Sequence, residues 1–351
     1  MTPPRFSRRQ FIATTAATAI ACRFAGSAEL GRRIKVGFLG TAHSHFTEKF
    51  RIVSTSPDWD LVGLCERDAD LRNQGPANAR WISETELFEK AEAVIIESAV
   101  ADHAGDARRA LEARRHVHLE KPPADSLAGV RELLKLAGEK KRLLQVGYMW
   151  RHHPGIHAVL DAARQGWLGD VYLVRATINT TARPEQRREW ARFPGGMMFE
   201  LGCHLVDPMI RLLGRPNKVT PTLKRTSPDV DSLADNCVAV FEFPKALGVV
   251  SSAAMQPNAH ANRFFEVLGT NGTAKVQPVE PAGLTMDLAE AAGSYRKGRQ
   301  EVTLPEYRRY VTEFEVLARA IRTGQSLEVP SETEWNVHEA LLAACAMTGQ
   351  G

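Results

Sequence analysis

No apolar run in this 351-residue chain approaches the roughly 20 residues that a helix needs to cross a bilayer, which excludes a helical membrane span. Cysteine is scarce and scattered. Cys22, Cys65, Cys203, Cys237 and Cys345 include no Cys-x-x-Cys, so their spacing builds neither a disulfide framework nor a thiolate metal site, and they read as buried residues. Runs of basic residues are absent as well. The formal net charge is +4, but Arg5, Arg8, Arg9 and Arg23 fall within residues 1–28, which hold no acid; removing those four from the 45 basic residues leaves 41 against 41 acidic. A near-neutral surface without a basic stripe argues against nucleic acid or an anionic membrane as partner. Residues 29–351 hold neither an internal repeat nor a low-complexity tract.

What is present begins with a targeting segment, residues 1–28. Ser7-Arg8-Arg9-Gln10-Phe11 sets two arginines before a weakly apolar run, Phe11–Ala21, too short to span a membrane but suited to a secretory core. The pair resembles the twin-arginine export signal, which predicts a periplasmic or otherwise exported protein. Cleavage after Ala21 or after Ala28, and a lipid anchor at Cys22, are all compatible with the sequence. The remaining length, roughly 320 residues, is enough for two domains with full cores.

Through the first half, short apolar runs alternate with helical patterns. Ile34–Phe38, Leu61–Cys65, Ala93–Ile96, Val117–Leu119 and Leu143–Val146 read as strands, with helices over Asp106–Ala113 and Leu127–Glu139. Alternation at this pitch predicts parallel pairing and an α/β doubly wound domain over 33–150. Past Arg151 the texture changes. A helix over Ile156–Gln165 leads into the alternating strands Val171–Asn179, Cys237–Phe243, Gly248–Ala254 and Arg263–Gly269, then the amphipathic helices Tyr307–Thr323 and Glu332–Met347. Residues 151–351 therefore read as an α+β domain with a large, open, mostly antiparallel sheet.

Four motifs follow one another. Gly37-Phe-Leu-Gly40 ends the first strand; Val94-Ile-Ile-Glu-Ser98-Ala-Val-Ala-Asp-His103 ends the third; His116-Val-His-Leu-Glu120-Lys121-Pro122 ends the fourth; and Gly195-Gly196 opens a segment with Glu200, His204 and Asp207. Their order and spacing are similar to those of the Gfo/Idh/MocA family, the glucose-fructose oxidoreductase and inositol dehydrogenase group, over essentially all of residues 29–351. The resemblance implies a Rossmann domain holding NAD or NADP, with Ser98, His103 and Glu120 around the cofactor. It also implies a functional lysine at Lys121, an acid and a histidine at Glu200 and His204, and a C-terminal sheet that joins copies into a homo-oligomer.

The glycine turn departs from the pattern. A dinucleotide fingerprint wants three small residues, for the tight turn, the approach to pyrophosphate and helix-on-strand packing. Gly40-Thr41-Ala42-His43-Ser44-His45 keeps the first, has Ala42 at the second and His45 at the third, where the ring either tilts the helix or bonds the phosphate. Histidines at 43 and 45 also raise a metal site, but no nearby Cys or Asp pattern completes one, so no metal is expected. Glu66, after the second strand, is placed to accept from the adenosine ribose and to repel a 2′-phosphate, favouring NAD; Arg67, beside it, either stacks on adenine or pairs with that phosphate and leaves NADP open.

A lysine at a strand end can be desolvated and tuned to handle a proton near neutral pH. Glu200 and His204 share a face if their segment is helical, with Asp207 next along it. Family members more often have aspartate where Glu200 stands; glutamate reaches roughly 1.5 Å further. Tyr148, Arg151, His152 and Trp190 are candidates for a substrate wall, although core packing suits Trp190 equally. The reading that results is a hydride-transferring enzyme acting on a secondary alcohol of a sugar or polyol. Two alternatives stand beside it: a sugar hydrolase or eliminase using transient oxidation or a metal at His43 or His45, and a non-catalytic sugar-binding protein.

Overall fold

The computed structural model describes residues 31–229 and 231–348, so the targeting segment and Cys22 lie outside the described residues. β1 (Ile34–Leu39), β2 (Trp59–Cys65), β3 (Ala93–Ile96), β4 (His116–Leu119) and β5 (Leu144–Val146) pair in parallel in the order β2-β1-β3-β4-β5. Between them run α1 (Phe46–Thr55), α2 (Ala69–Gln74), α3 (Glu84–Lys90), α4 (His103–Glu112) and α5 (Leu127–Lys140). The strands are continuous apolar runs because helices cover both faces. Leu87 of α3, Ala107, Ala110 and Leu111 of α4, and Leu133 and Ala137 of α5 close one face; Ile52 and Val53 of α1, with Trp59 and Phe314, belong to the core on the other.

Helix ends follow local chemistry. The Ser126 hydroxyl accepts from the Gly129 amide at the start of α5, and Lys141 turns left-handed at its end. α4 starts at His103, ahead of the expected Asp106, because a 3₁₀ turn over Val100–Asp102 feeds it. The chain leaves β1 for β2 on one side and returns to β3 on the other, so the switch point lies between β1 and β3. A doubly wound sheet places its ligand crevice beyond the carboxyl ends at that point. Gly40, Glu66, Ser98 and Lys121 all follow such ends.

The second half contains α6 (Pro154–Arg164), β6 (Val171–Thr177), α7 (Pro184–Trp190), a wide π turn over Met198–Gly202, and α8 (Cys203–Leu213). Then come β7 (Lys218–Lys224), β8 (Asn236–Glu242), β9 (Leu247–Ala253), the short α9 (Ala259–Asn262), β10 (Phe264–Gly269), β11 (Gly272–Val276), β12 (Leu284–Leu288) and β13 (Gly298–Val302). α10 (Val311–Thr323) and α11 (Ser331–Ala344) end the fold. The eight strands form one sheet, β13-β12-β11-β10-β6-β9-β8-β7, antiparallel except for the β6–β9 pair. α6 packs against β10 and β11, α8 against β6 and β9, and α11 against β7, all on one side of the sheet. The alternate positions Leu173, Val238, Val240, Leu247 and Val249 face away from those helices and are half-buried or exposed.

Candidate active site

The first glycine of the turn is required by geometry. Gly40 has φ +82°, and a Cβ there would stand 2.4 Å from the Ser98 Cα. Thr41 donates its amide and hydroxyl to Glu66 Oε2 at 2.7 and 2.9 Å, and the Asp68 amide donates to Oε1 at 3.0 Å. A carboxylate offers about four acceptor positions, so Glu66 keeps one for a further donor. Arg67 is tied to Glu84 and Asp106, 2.6 and 2.8 Å away, so its guanidinium already has two carboxylates.

The residues of this turn fit a dinucleotide's pyrophosphate. The Ala42 and Ser44 amides have no hydrogen-bond partner among the described residues, α1 starts immediately behind them without a side-chain cap, and the Ser98 hydroxyl is buried without a partner. Unpaired amides at a helix start hold anions. The His45 Nδ1 lies 2.9 Å from Glu120 Oε1 and its ring packs on Tyr310. His103 likewise braces two loops, its ring nitrogens 2.8 Å from the Pro122 carbonyl and 3.1 Å from that of Ser98.

Across the crevice, the Lys121 ammonium donates to Glu200 Oε1 at 2.7 Å and to the Glu200 carbonyl at 3.1 Å. The turn that brings Glu200 there depends on Gly196, at φ +47°, where a Cβ would meet the Ala234 carbonyl oxygen at 2.4 Å; the Met197 amide then donates to that oxygen. Glu200 sits in the π turn and His204 at the start of α8, so the expected single helix is two joined segments. Wide turns of this kind recur at functional sites.

The protonation states correct one expectation. Burial alone would pull Lys121 down toward neutral pH, but the adjacent Glu200 and the nearby Glu120 outweigh it and hold the amine above its ordinary range. Lys121 is a fixed ammonium, able to donate to a developing negative charge and unable to act as a base near neutrality. His204 is the opposite case. Its burial, with the Lys121 charge beside it, holds it well below its usual value, and its Nδ1 has no partner. A neutral imidazole can take a proton.

The expected wall residues are spread over several surroundings. Arg151 is buried and held between Asp207 Oδ1, at 2.6 Å, and Glu334, at 2.8 Å from Nη2. His152 stacks on His157 and lines a small cavity with Leu327 and Glu328. Tyr148 keeps a buried, unpartnered hydroxyl beside the His204 ring, with the ring centroids 6.4 Å apart, and Trp150 stands closer to that ring, at 5.5 Å. Trp190 is 9% exposed and belongs to the core.

Sequence reading missed a group of charges behind this crevice. Lys49 of α1 is fully buried and pairs with Glu120, with Glu97 at 3.2 Å and with Glu313 of α10 at 3.6 Å, while its Nζ is 2.8 Å from His118 Nε2. His118 Nδ1 donates in turn to Gln145 Oε1 at 2.8 Å. His43, His45 and Glu120 hold ligand atoms within 4.8 Å of one another, as do Glu97, His118 and Glu120. The carboxylate that joins His43 and His45 thus comes from Glu120, just past the end of β4, out of reach of a local motif search. Glu97, a charge closing the apolar run of β3, and His118 inside β4 were the available signals.

Comparison with known proteins agrees with this architecture. Residues 34–148 match the family model described as an oxidoreductase family with an NAD-binding Rossmann fold, and residues 156–275 match the GFO/IDH/MocA C-terminal domain. The scyllo-inositol 2-dehydrogenase (NADP(+)) IolW of Bacillus subtilis strain 168 is 23% identical over 90% of this chain and 94% of its own. The fold is shared with UDP-N-acetylglucosamine 3-dehydrogenase GnnA of Acidithiobacillus ferrooxidans, with TM-score 0.76, 19% identity and coverage of 90% and 98% of the two chains. It is shared too with GenD2 from gentamicin A biosynthesis, a complex with NAD, with TM-score 0.75, 22% identity and coverage of 100% and 98%.

Proposed function

The chain belongs to the Gfo/Idh/MocA family and is an NAD(P)-dependent oxidoreductase, and from that premise we propose that its substrate is a secondary alcohol of a sugar or polyol. The observation that carries this reading is that the buried Lys121, just past the carboxyl end of β4, is bonded to Glu200, with the buried His204 four residues further along the chain and near enough to feel the lysine's charge. A bound nicotinamide supplies the hydride acceptor. The Ala42 and Ser44 amides would hold its pyrophosphate and Glu66 its ribose. His204 removes the hydroxyl proton, Lys121 donates to the same oxygen as negative charge grows, and Glu200 positions Lys121. NAD is favoured over NADP because Glu66, just past the end of β2, would accept from an adenosine ribose and repel a 2′-phosphate, while Arg67 is engaged by Glu84 and Asp106.

The test is a double-mutant comparison. Lys121→Met and His204→Ala should each slow nicotinamide reduction by about 10²–10⁴ with dinucleotide affinity nearly unchanged. If both act on one oxygen, the double variant loses far less than the product of the two. Stopped-flow absorbance against a panel of sugars and polyols reads all four forms; normal hydride transfer in Lys121→Met would remove the lysine from the mechanism.

We further propose export in the folded state through the twin-arginine route, on the strength of Arg8-Arg9. Replacing both with lysine should leave the precursor in the cytoplasmic fraction, and unchanged export would discard the signal.

A further inference from the structure

We infer that His43, His45 and Glu120 form a binding site for one divalent first-row metal ion, zinc by its ligand set, with Glu97 orienting His43. Two imidazole nitrogens and one carboxylate oxygen are the donor set of many open zinc centres.

Geometry chooses between the two candidate triads. In the Glu97–His118–Glu120 group the centre is already taken by a cation. The Lys49 ammonium sits 2.8 Å from His118 Nε2 and 3.2 Å from Glu97 Oε1, and it is bonded to Glu120 Oε1. In the His43–His45–Glu120 group the same ammonium bonds Glu120 Oε1, but among the described residues no ammonium or guanidinium is bonded to Glu120 Oε2 or to the ring nitrogens of His43 and His45. His43 Nε2 is 3.7 Å from Glu120 Oε2, and His45 Nδ1 is 2.9 Å from Glu120 Oε1. Ligands of a tetrahedral zinc, at about 2.0–2.2 Å from the ion, stand about 3.3–3.6 Å apart. The present spacings bracket that value, so side-chain adjustment without backbone movement can close the site.

A second, independent observation concerns Glu97. The residue is fully buried; its Oε1 meets the Lys49 ammonium at 3.2 Å, while Oε2 has no hydrogen-bond partner and lies 3.7 Å from His43 Nδ1. A carboxylate behind the non-ligating nitrogen of a metal-bound histidine is the usual supporting arrangement. As the side chains now stand, the His45 amide donates to His43 Nδ1 at 3.3 Å. An ion on Nε2 would place the imidazole proton on Nδ1, turning that nitrogen into a donor and giving Glu97 Oε2 the partner it lacks.

His45 is the least buried of the three ligands, at 16% side-chain exposure, and gives the ion its entrance. The site adjoins the catalytic lysine, since Glu120 Oε2 accepts the Lys121 backbone amide at 2.9 Å.

The experiment uses the folded protein after chelator treatment and dialysis, with Zn²⁺ and then Co²⁺ as probes. Metal analysis after equilibrium dialysis should give about one ion per chain, and Co²⁺ should produce the visible absorption of a low-coordinate nitrogen and oxygen site. His43→Ala and His45→Gln should each abolish the Co²⁺ spectrum. Glu97→Gln should weaken Zn²⁺ binding by about 10–100-fold, the usual effect of removing a supporting carboxylate. His118→Asn, in the triad filled by Lys49, should leave the stoichiometry and the spectrum in place. Substoichiometric zinc on the unmodified protein would overturn the proposal whatever the variants do. So would a Co²⁺ spectrum that survives in His45→Gln, or one lost in His118→Asn but kept in His43→Ala. None of these readouts depends on turnover, so a failed metal site leaves the dehydrogenase reading standing, and the reverse.

Discussion

Glu200, 2.7 Å from Lys121, favours its charged form. In the proposed mechanism that ammonium supplies charge and His204 supplies basicity. Removing the carboxylate exposes the opposing influence, burial, which favours the uncharged amine. In Glu200→Gln the Lys121 pKa should therefore fall. A reaction that needs the ammonium then loses rate at lower pH than the unmodified enzyme, so the alkaline limb of kcat/KM should move down the pH scale. Measuring the profile for both forms checks this; an unmoved limb would mean that Lys121 charge does not enter the rate-determining step. Breaking a buried pair also destabilises, by about 3–5 kcal/mol, so the profile is to be taken below the onset of unfolding.

At the scale of elements, the clearest exposed feature is the helix-free face of the eight-stranded sheet. β9 lies at its middle, with Leu247 beside Leu173 of β6 and Val249 beside Val240 of β8, an apolar row on a face otherwise set with Arg175, Thr177 and Ser251. Contiguous exposed apolar surface marks a contact site, and we assign it to a second copy of the chain. Leu247→Glu with Val249→Lys should convert the oligomer to monomer in sedimentation equilibrium, with far-UV circular dichroism unchanged; an unmodified protein that sediments as a monomer would refute the assignment. The strands carrying this face were legible because β6, β8, β9 and β10 alternate cleanly. β7 was not, because Pro221 argues against a strand; it is tolerated since β7 is the sheet's edge. The short β11, β12 and β13 gave too few residues for a period. The proposed catalytic residues Lys121, Glu200 and His204 were readable from motifs. The cluster of Lys49, Glu97, His118 and Glu313 was not, since its members come from α1, β3, β4 and α10 and only the packed sheet brings them together.

Over the whole molecule the histidines form a common store of pH dependence. His116, His152 and His153 are held down to about 4, and His118 and His338 to about 3, in each case mainly by burial. His338 is the simplest of them, fully buried with no partner on either ring nitrogen. The sign follows from linkage. An unfolded chain takes up a proton on each of these rings near pH 6.5, while the native protein does not until about pH 4 or 3, so the unfolded state binds more protons across that window. Stability contributed by the neutral rings is therefore present above pH 6.5 and lost as pH falls toward 4. The slope below about pH 5.5 is on the order of 1.4 kcal/mol per pH unit for each such ring. Urea midpoints measured from pH 7.5 to 4.5 should fall, because these rings outnumber the buried carboxyls, Glu313 at about 7 among them, whose raised values act in the opposite direction. His338→Leu, which removes one titrating ring and two unpaired buried nitrogens while keeping an apolar side chain, should flatten the slope by about one ring's share and cost little at pH 7.5. A midpoint independent of pH over this interval would mean that the imidazoles reach water in the native state, and the burial on which the neutral His204 depends would fall with it.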